Sequence, residues 1–260
     1  KRKETILSTI ETQGKLTDEL RHRIDHCWDS TELEDIYLPF KPKRRTRAQV
    51  AREQGLEPLS VILMMQRERK PEEAARRFVG DKVKDVKAAI KGAQDIIAET
   101  VSEDEQSRNQ LRAVFRREAV ITAKVVKTKA DTEEAAKFAD YFDFSEPLRR
   151  CSSHRLLAIR RGESEGILRV SISPNDDQAA ERIKRQYVHG YSPCGTLVGE
   201  AVDDAYKRLL KPSIENEFAA LSKEKADDEA IGVFAENLRQ LLLSAPLGQK
   251  RVMGVDPGFR

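Results

Sequence analysis

The fold class follows from residues 83–127, VKDVKAAIKGAQDIIAETVSEDEQSRNQLRAVFRREAVITAKVVK. Apolar side chains recur in this stretch at three- and four-residue intervals, which is the spacing of one face of an amphipathic helix. The acidic run Ser102-Glu-Asp-Glu105 favours a helix start, because carboxylates stabilise the first turn, so we predict a break there. Nearly continuous helix over 83–127 predicts a mainly α protein.

The composition points the same way. Of 260 residues, 35% are charged and 6% are aromatic, and 47 Lys and Arg against 44 Asp and Glu leave a net charge of +3. Few aromatic residues argue against a β-sandwich or barrel, and many charges suit helices with solvated faces. The 39% hydrophobic share is enough for a core. We expect an irregular multi-helix scaffold with a minor β component.

Compartment and membrane association are constrained by the cysteines and the hydropathy. Cys27, Cys151 and Cys194 lie far apart and are odd in number, which predicts neither a disulfide framework nor a metal pair. The apolar runs are far shorter than the roughly twenty residues that cross a bilayer. The charged start Lys1-Arg-Lys-Glu4 leads into a helical pattern without a signal region. These features predict a cytoplasmic protein with no membrane partner.

Three shorter features refine the fold. Ile167–Ile172 alternates apolar and polar residues and is rich in β-branched types, so we predict a strand. A helical pattern from Thr196 to about Leu243 is interrupted at Pro212. Arg251–Val255 predicts a further strand, with Asp256-Pro-Gly258 as the turn after it.

A cationic loop, residues 41–47 (KPKRRTR), carries five basic residues and no acid. Phosphate groups favour such clusters, because each neutralised phosphate releases condensed counterions. The alternative is a solvated charge run, or a patch paired with acidic residues of a neighbouring helix. The predicted contacts to RNA or DNA, extended by one residue of the next helix, are Lys41, Lys43, Arg44, Arg45, Arg47 and Arg52.

Residues 47–67 have the order helix, glycine turn, helix that is typical of a helix-turn-helix. A DNA-reading version places polar side chains at the start of the second helix. Here Glu57-Pro-Leu-Ser60 leads into the apolar run Val61-Ile-Leu-Met-Met65. We therefore favour an element used for packing over one that reads bases.

Other candidate sites are weak. His22 and His26 are four residues apart on a predicted helix, and His189 and Cys194 share a loop, but neither pair has the further groups that a metal or a nucleophile needs. Proteins that bind single-stranded nucleic acid stack its bases on exposed aromatic rings. The rings in this sequence have the spacing of core residues instead. We predict no metal, cofactor or catalytic residue; the rings considered are Trp28, Tyr37, Phe40, Tyr187 and Tyr191.

Asp256 follows an apolar predicted strand, where a two-metal phosphoryl-transfer site places its first carboxylate. One carboxylate holds no metal pair, so spacing alone favours a plain aspartate in a turn.

Several sequence motifs are informative when taken together. They are Glu32-Leu-Glu-Asp-Ile-Tyr-Leu-Pro-Phe-Lys-Pro-Lys-Arg-Arg-Thr-Arg47, Ala51-Arg-Glu-Gln-Gly-Leu-Glu-Pro-Leu59, Ser153-His-Arg155, Arg161-Gly-Glu163, Glu165-Gly166 and Gly254-Val-Asp-Pro-Gly-Phe-Arg260. Together they resemble the bacterial Tex family of transcription accessory proteins. They occur in the order of that family and extend from about residue 4 to the last residue.

The resemblance implies a longer parent protein. Tex-like proteins are similar in architecture to the core of a eukaryotic elongation factor that binds histones and RNA polymerase. They continue from a helical region into a YqgF domain of ribonuclease-H-like fold, helix-hairpin-helix elements and an OB-fold RNA-binding domain. Asp256 would match the first acidic position of the YqgF domain, as a vestigial site, and the resemblance implies no enzyme activity here.

The predicted organisation has three parts. A helical region covers 1–127, with the helix-turn-helix-like element at about 47–67. A central helical region covers 128–248, with a short strand near 167–172. Residues 250–260 are expected to form the first strand and turn of a truncated YqgF domain.

The predicted function is nucleic-acid binding within a transcription accessory protein that scaffolds transcription complexes. One alternative is a protein-docking module for RNA polymerase or another partner. A metal-dependent nuclease or resolvase built around Asp256 is the third reading and the weakest.

Overall fold

A computed structural model describes residues 1–42, 44–246, 248–256 and 258 of the chain. The protein is mainly helical with a minor β component, as predicted, and that component is a small antiparallel sheet. The helices are α1 (Arg2–Thr12), α2 (Asp18–His26), α3 (Ser30–Tyr37), α4 (Arg47–Glu53), α5 (Glu57–Met65), α6 (Pro71–Arg76), α7 (Val86–Glu103), α8 (Glu105–Glu118), α9 (Glu133–Ala136), α10 (Ser153–Ser164), α11 (Asp176–Tyr187), α12 (Pro193–Ala205) and α13 (Lys211–Leu242). The strands are β1 (Val120–Val125), β2 (Asp143–Pro147) and β3 (Leu168–Ser173).

Helix α7 lies at the centre of the main core, packed against α4, α5, α6 and α12. Its buried face carries Ala89, Ala93, Ile97 and Val101. The predicted break before α8 is confirmed, since Asp104 ends α7 and accepts the backbone N–H of Ser107 at 2.7 Å. A single residue between two helices turns the chain and brings both onto one core.

The sheet has the order β2-β1-β3, and both pairs are antiparallel. The predicted strand at 167–172 is confirmed as β3, but β1 corrects the prediction of helix up to Lys127. Residues 120–125 alternate in burial, and Ile121 and Ala123 are fully buried against the helices. The alternation continues directly from a helix, so the helical pattern hides it. β1 also pairs across the predicted boundary at residue 127, and the domain boundaries stay a prediction.

A π-helical turn over Tyr206–Leu210 joins α12 to α13 and confirms the interruption predicted at Pro212. Proline has no N–H to donate to the carbonyl one turn earlier, and its ring crowds that carbonyl. Widening the preceding turn relieves both problems.

The predicted strand at 251–255 is not formed: the described residues from 249 to 256 belong to no helix or strand, and Val252, Met253 and Val255 are exposed. A β-strand needs a hydrogen-bonding partner, and no strand among the described residues pairs with this segment. Position 257 and the last two residues lie outside the described residues.

Helices α1 to α3 bury a second, smaller core that includes Ile6, Ile10, Ile24 and Ile36. Asp35 of α3, only 4% exposed, links it to the main core through Arg108 and Arg112 of α8. Burial lowers the pKa of the Arg112 guanidinium, but the hydrogen bonds and charges of Asp35 and Glu217 outweigh it and raise that pKa above its ordinary value. The Arg112 guanidinium therefore stays charged, and its ion pairs tie α3, α8 and α13 together.

Candidate nucleic-acid interface

The cationic loop follows a short 3-10 turn, Leu38–Phe40, and ends where α4 begins. The hydroxyl of Thr46 accepts the backbone N–H of Gln49 at 3.0 Å and so caps α4. Pro39 and Pro42 restrict the backbone on the entry side. The loop is therefore held at both ends by local structure.

Glu99 of α7 fixes the loop to the main core. Its carboxylate, in a side chain that is 8% exposed, accepts the Thr46 hydroxyl at 2.9 Å. Its other oxygen pairs with Nη1 of Arg52 at 2.5 Å. One buried carboxylate thus holds the start and the last turn of α4.

Two of the predicted contact residues bind carboxylates of their own chain. Arg52 is partly buried against Glu99 and lies 3.8 Å from Glu57. Arg45 pairs with Glu53 at 2.6 Å, but its side chain is 69% exposed. Arg52 is thereby an anchor of the loop, whereas a surface pair such as that of Arg45 exchanges partners at little cost in free energy.

Three of the other predicted contacts are exposed to solvent. Lys41, Arg44 and Arg47 are exposed, and within the described ranges none has a carboxylate oxygen within 4.0 Å. Their charge is felt nearby: the hydrogen bond from Arg2 lowers the pKa of Glu34, and Lys41 adds to that effect. Lys43 lies outside the described residues.

A cleft of about 240 Å³ lies behind the loop, between α4, α7 and the start of α13. Its lining mixes the cations Arg47, Arg108 and Arg208 with the carboxylates of Asp95 and Glu99. Arg208 lies 3.9 Å from Oδ1 of Asp95, which is buried and accepts no hydrogen bond. The cleft therefore holds charges of both signs, unlike the solvent side of the loop.

Helices α4 and α5 occupy the predicted helix-turn-helix position. α4 buries Ala48 and Ala51, and α5 buries Leu59 and Leu63, all on the main core. Both helices lie against α7. This placement is what the packing interpretation expects, and the identity of the pair as a helix-turn-helix stays a prediction.

Comparison with known proteins identifies the family of this chain. Residues 66–234 match the family described as "Tex central region-like". The chain belongs to the Tex family. Over its full length it is 40% identical to the transcriptional accessory protein Tex of Neisseria gonorrhoeae and 42% identical to protein YhgF of Escherichia coli, covering 35% of each. It is 28% identical to the human S1 RNA-binding domain-containing protein 1, covering 27% of that protein.

Membership of the Tex family bears out the resemblance drawn from the motifs. The chain spans about a third of the length of the bacterial relatives it matches, so the activity of the whole protein is a matter for proposal. No helix in the described part of this Tex-family chain combines the length and hydropathy needed to cross a bilayer.

Asp256 lies in the exposed C-terminal segment, where its carboxylate accepts the backbone N–H of Gly258 at 2.9 Å. This is the bond of an aspartate in a tight turn. Its match to the acidic position of a YqgF domain stays a prediction.

The histidine pair and the aromatic rings considered from the sequence differ in their exposure and contacts. The rings of His22 and His26 lie 4.0 Å apart, and among the described residues no group of three His, Cys, Asp or Glu could hold a metal ion. Tyr37 is buried, and Tyr187 is partly buried with its hydroxyl 2.7 Å from that of Ser107. Trp28 and Tyr191, in contrast, are exposed.

Two charged features escaped the sequence reasoning. The anchoring role of Glu99 joins residues 47 positions apart, and no local pattern signals it. Four exposed arginines, Arg116, Arg117, Arg149 and Arg150, come in two adjacent pairs whose proximity depends on the fold. The sequence shows only that the two arginines within each pair are adjacent.

Proposed function

We propose that this chain binds nucleic acid through the cationic loop, as part of a Tex-type transcription accessory protein. The observation that carries the proposal is the set of exposed cations Lys41, Arg44 and Arg47, none of which has a carboxylate oxygen within 4.0 Å in the described part of the chain. Charges left without an internal partner on a fixed loop favour a polyanion.

The contacts we propose go to phosphates and not to bases. Phosphate contacts need cations at the surface and no particular order of side chains, whereas base reading needs an element that enters a groove. Leu59 and Leu63 of α5, the second helix of the pair, are used for packing, and its exposed side chains Val61 and Met65 are apolar. We therefore propose binding with little sequence preference.

RNA is the first probe, because one relative is named for an S1 RNA-binding domain. A fluorescein-labelled single-stranded oligouridine is titrated with the wild-type chain and with a variant carrying K41Q, R44Q and R47Q, and anisotropy gives the Kd. The matched control removes three exposed, unpaired cations elsewhere, K15Q, K84Q and K87Q.

Loss of three phosphate contacts is expected to raise the Kd about tenfold or more at low salt. The control variant, with the same net charge, is expected to change the Kd by about twofold at most, because distant charges are screened. Equal effects of the two variants would contradict a role for the loop.

The proposal includes a scaffolding role in transcription complexes in the cytoplasm and no catalytic one. Relatives are named as transcription accessory proteins. The full-length protein and its D256N variant, each incubated with Mg²⁺ and a labelled duplex or branched DNA, are expected to leave the DNA uncut. Cleavage by the parent that D256N abolishes would assign the carboxylate to catalysis instead.

A further inference from the structure

A second cationic surface lies apart from the cationic loop. Arg116 and Arg117 stand in the last turn of α8, and Arg149 and Arg150 stand in the 3-10 turn Leu148–Arg150. That turn packs on α8, and the backbone N–H of Leu148 donates to the carbonyl of Ala119 at 2.9 Å. We call these four side chains the arginine patch.

The arginine patch is not neutralised within the chain. All four side chains are exposed, and none has a carboxylate oxygen within 4.0 Å among the residues that the structure covers. The carbonyl end of α8 accounts for cations at Arg116 and Arg117. It does not account for the second pair, which belongs to a different element.

An apolar cleft of about 300 Å³ opens beside the patch, between α8, α10 and α13. Its apolar lining includes Leu148, Leu156, Phe218 and Leu221, the last of which is 50% exposed. Arg116, Arg149 and Lys225 also line it. The volume suits one or two large apolar side chains.

The acids near the cleft already have partners. Glu146 pairs with Arg155 at 3.2 Å, and Glu229 accepts the Ser153 hydroxyl and lies 3.9 Å from Lys225. The free charge at the cleft is therefore positive, which is complementary to an anionic ligand.

We propose that this cleft docks an acidic segment of a partner protein, with one large apolar side chain in the cleft and carboxylates against Arg116 and Arg149. The surface is separate from the cationic loop and goes beyond the nucleic-acid proposal. The chemistry of the lining favours a peptide over a nucleic acid. Bases stack on open aromatic faces, but of the two rings in the lining Phe115 is 1% exposed and Phe218 is partly buried against it. The other apolar side chains of the lining are mainly the leucines already named.

Cys151 offers a local reporter of occupancy. It lines the cleft and is half-buried, whereas Cys27 and Cys194 are buried. Burial raises the pKa of the Cys151 thiol, so its reaction with a maleimide is slow at neutral pH and speeds up as the pH rises. A ligand in the cleft shields this thiol directly.

The test uses a fluorescein-labelled peptide of alternating glutamate and serine with one central phenylalanine, and the same peptide with serine in place of the phenylalanine. The phenylalanine peptide is expected to bind the wild-type chain saturably, and the serine peptide about fivefold or more weaker. R116E with R149E should weaken the phenylalanine peptide about tenfold or more. The matched control is R76E with R77E, an exposed arginine pair at the end of α6.

The second measurement needs no variant. Mass spectrometry of maleimide-labelled wild-type chain is expected to show that the phenylalanine peptide slows labelling of Cys151, and that single-stranded oligouridine does not. Absence of saturable peptide binding, equal loss in the two arginine variants, or labelling unchanged by the peptide would each overturn the proposal. Protection by oligouridine that exceeds that by the peptide would assign the cleft to nucleic acid and overturn it as well.

Discussion

At the scale of single residues, a buried carboxylate decides where the cationic loop sits. Glu99 accepts from Thr46 at one end of α4 and pairs with Arg52 at the other. The free energy of such a pair depends on burial, because removing one partner leaves the other charge without compensation. The partial exposure of Arg52 moderates this cost.

We predict that E99Q lowers the free energy of unfolding by about 1–3 kcal/mol. The control E53Q, which removes the exposed partner of Arg45, is expected to cost at most about 1 kcal/mol. Urea unfolding at neutral pH measures both. A loss from E53Q as large as that from E99Q would contradict the anchoring role.

Asp176 gives the chain a defined response to acid. Burial raises its pKa, but hydrogen bonds from Lys211 at 2.6 Å and Tyr206 at 2.7 Å outweigh this and hold the pKa below its ordinary value. A depressed carboxyl pKa stabilises the folded state above the unfolded pKa, about 4, and this stabilisation is lost as the pH falls through the folded pKa.

D176N is therefore expected to be less stable than wild type at pH 7, with a difference that shrinks as the pH falls below about 4. Urea titrations at several pH values between neutral and acid measure this difference. If the difference were the same at every pH, the Asp176 charge would not be its source.

At the scale of elements, close packing in α10 and open space in α13 can be compared at two glycines. A Cβ added to Gly162 would lie 2.7 Å from Cδ1 and 2.9 Å from Cγ of Leu168. Leu168 is buried and has little room to move. A Cβ added to Gly232 of α13 would meet no atom within 4 Å.

We expect G162A to destabilise the chain by about 1–2 kcal/mol through overpacking, despite the better helix propensity of alanine. G232A is expected to leave stability unchanged or raise it by up to about 1 kcal/mol. Thermal unfolding of the two variants side by side tests the contrast. A stabilised G162A would show that β3 packs less tightly on α10 than the structure indicates.

The elements also show what the sequence can and cannot predict. Capped helices such as α2, which begins after Thr17, and the break at Pro212 are predictable because their signals are local. β2, by contrast, contains Pro147 and polar residues, and its strand form depends on pairing with β1. The segment 251–255 has a strand pattern, but no described strand pairs with it, and pairing depends on more than the local pattern.

The same limit applies to the candidate site. The sequence predicted the position and charge of the cationic loop, because its cations are adjacent in the chain. It did not predict that Arg52 is held by Glu99, or that Arg149 lies in a cleft with Phe218, because those contacts bring together distant segments.

At the scale of the whole molecule, two apolar cores meet through a buried ionic cluster. Arg108 donates to Asp35 at 2.7 Å, and Arg112 bonds both Asp35 and Glu217, the latter at 2.7 Å. These groups join the unit formed by α1, α2 and α3 to the main core. They therefore fix the position of the chain segment that leads into the cationic loop.

D35N is expected to lower the free energy of unfolding by about 3–5 kcal/mol, because it removes the negative charge that compensates two buried guanidinium groups. Hydrogen exchange followed by mass spectrometry should show that D35N, compared with wild type, speeds exchange in α1, α2 and α3 more than in α7. The exposed position D25N serves as control and is expected to change neither. Uniformly faster exchange over the chain would contradict a local link.

In the proposed function, exposed cations of the cationic loop neutralise phosphates. The most direct measurement is the slope of log K against log salt for binding of single-stranded oligouridine, in wild type and in the K41Q, R44Q and R47Q variant. Each phosphate contact to a single strand contributes about 0.7 to that slope, so the variant should show a slope smaller in magnitude by about 2. Identical slopes in the two proteins would show that the loop contacts no phosphate and would contradict the account.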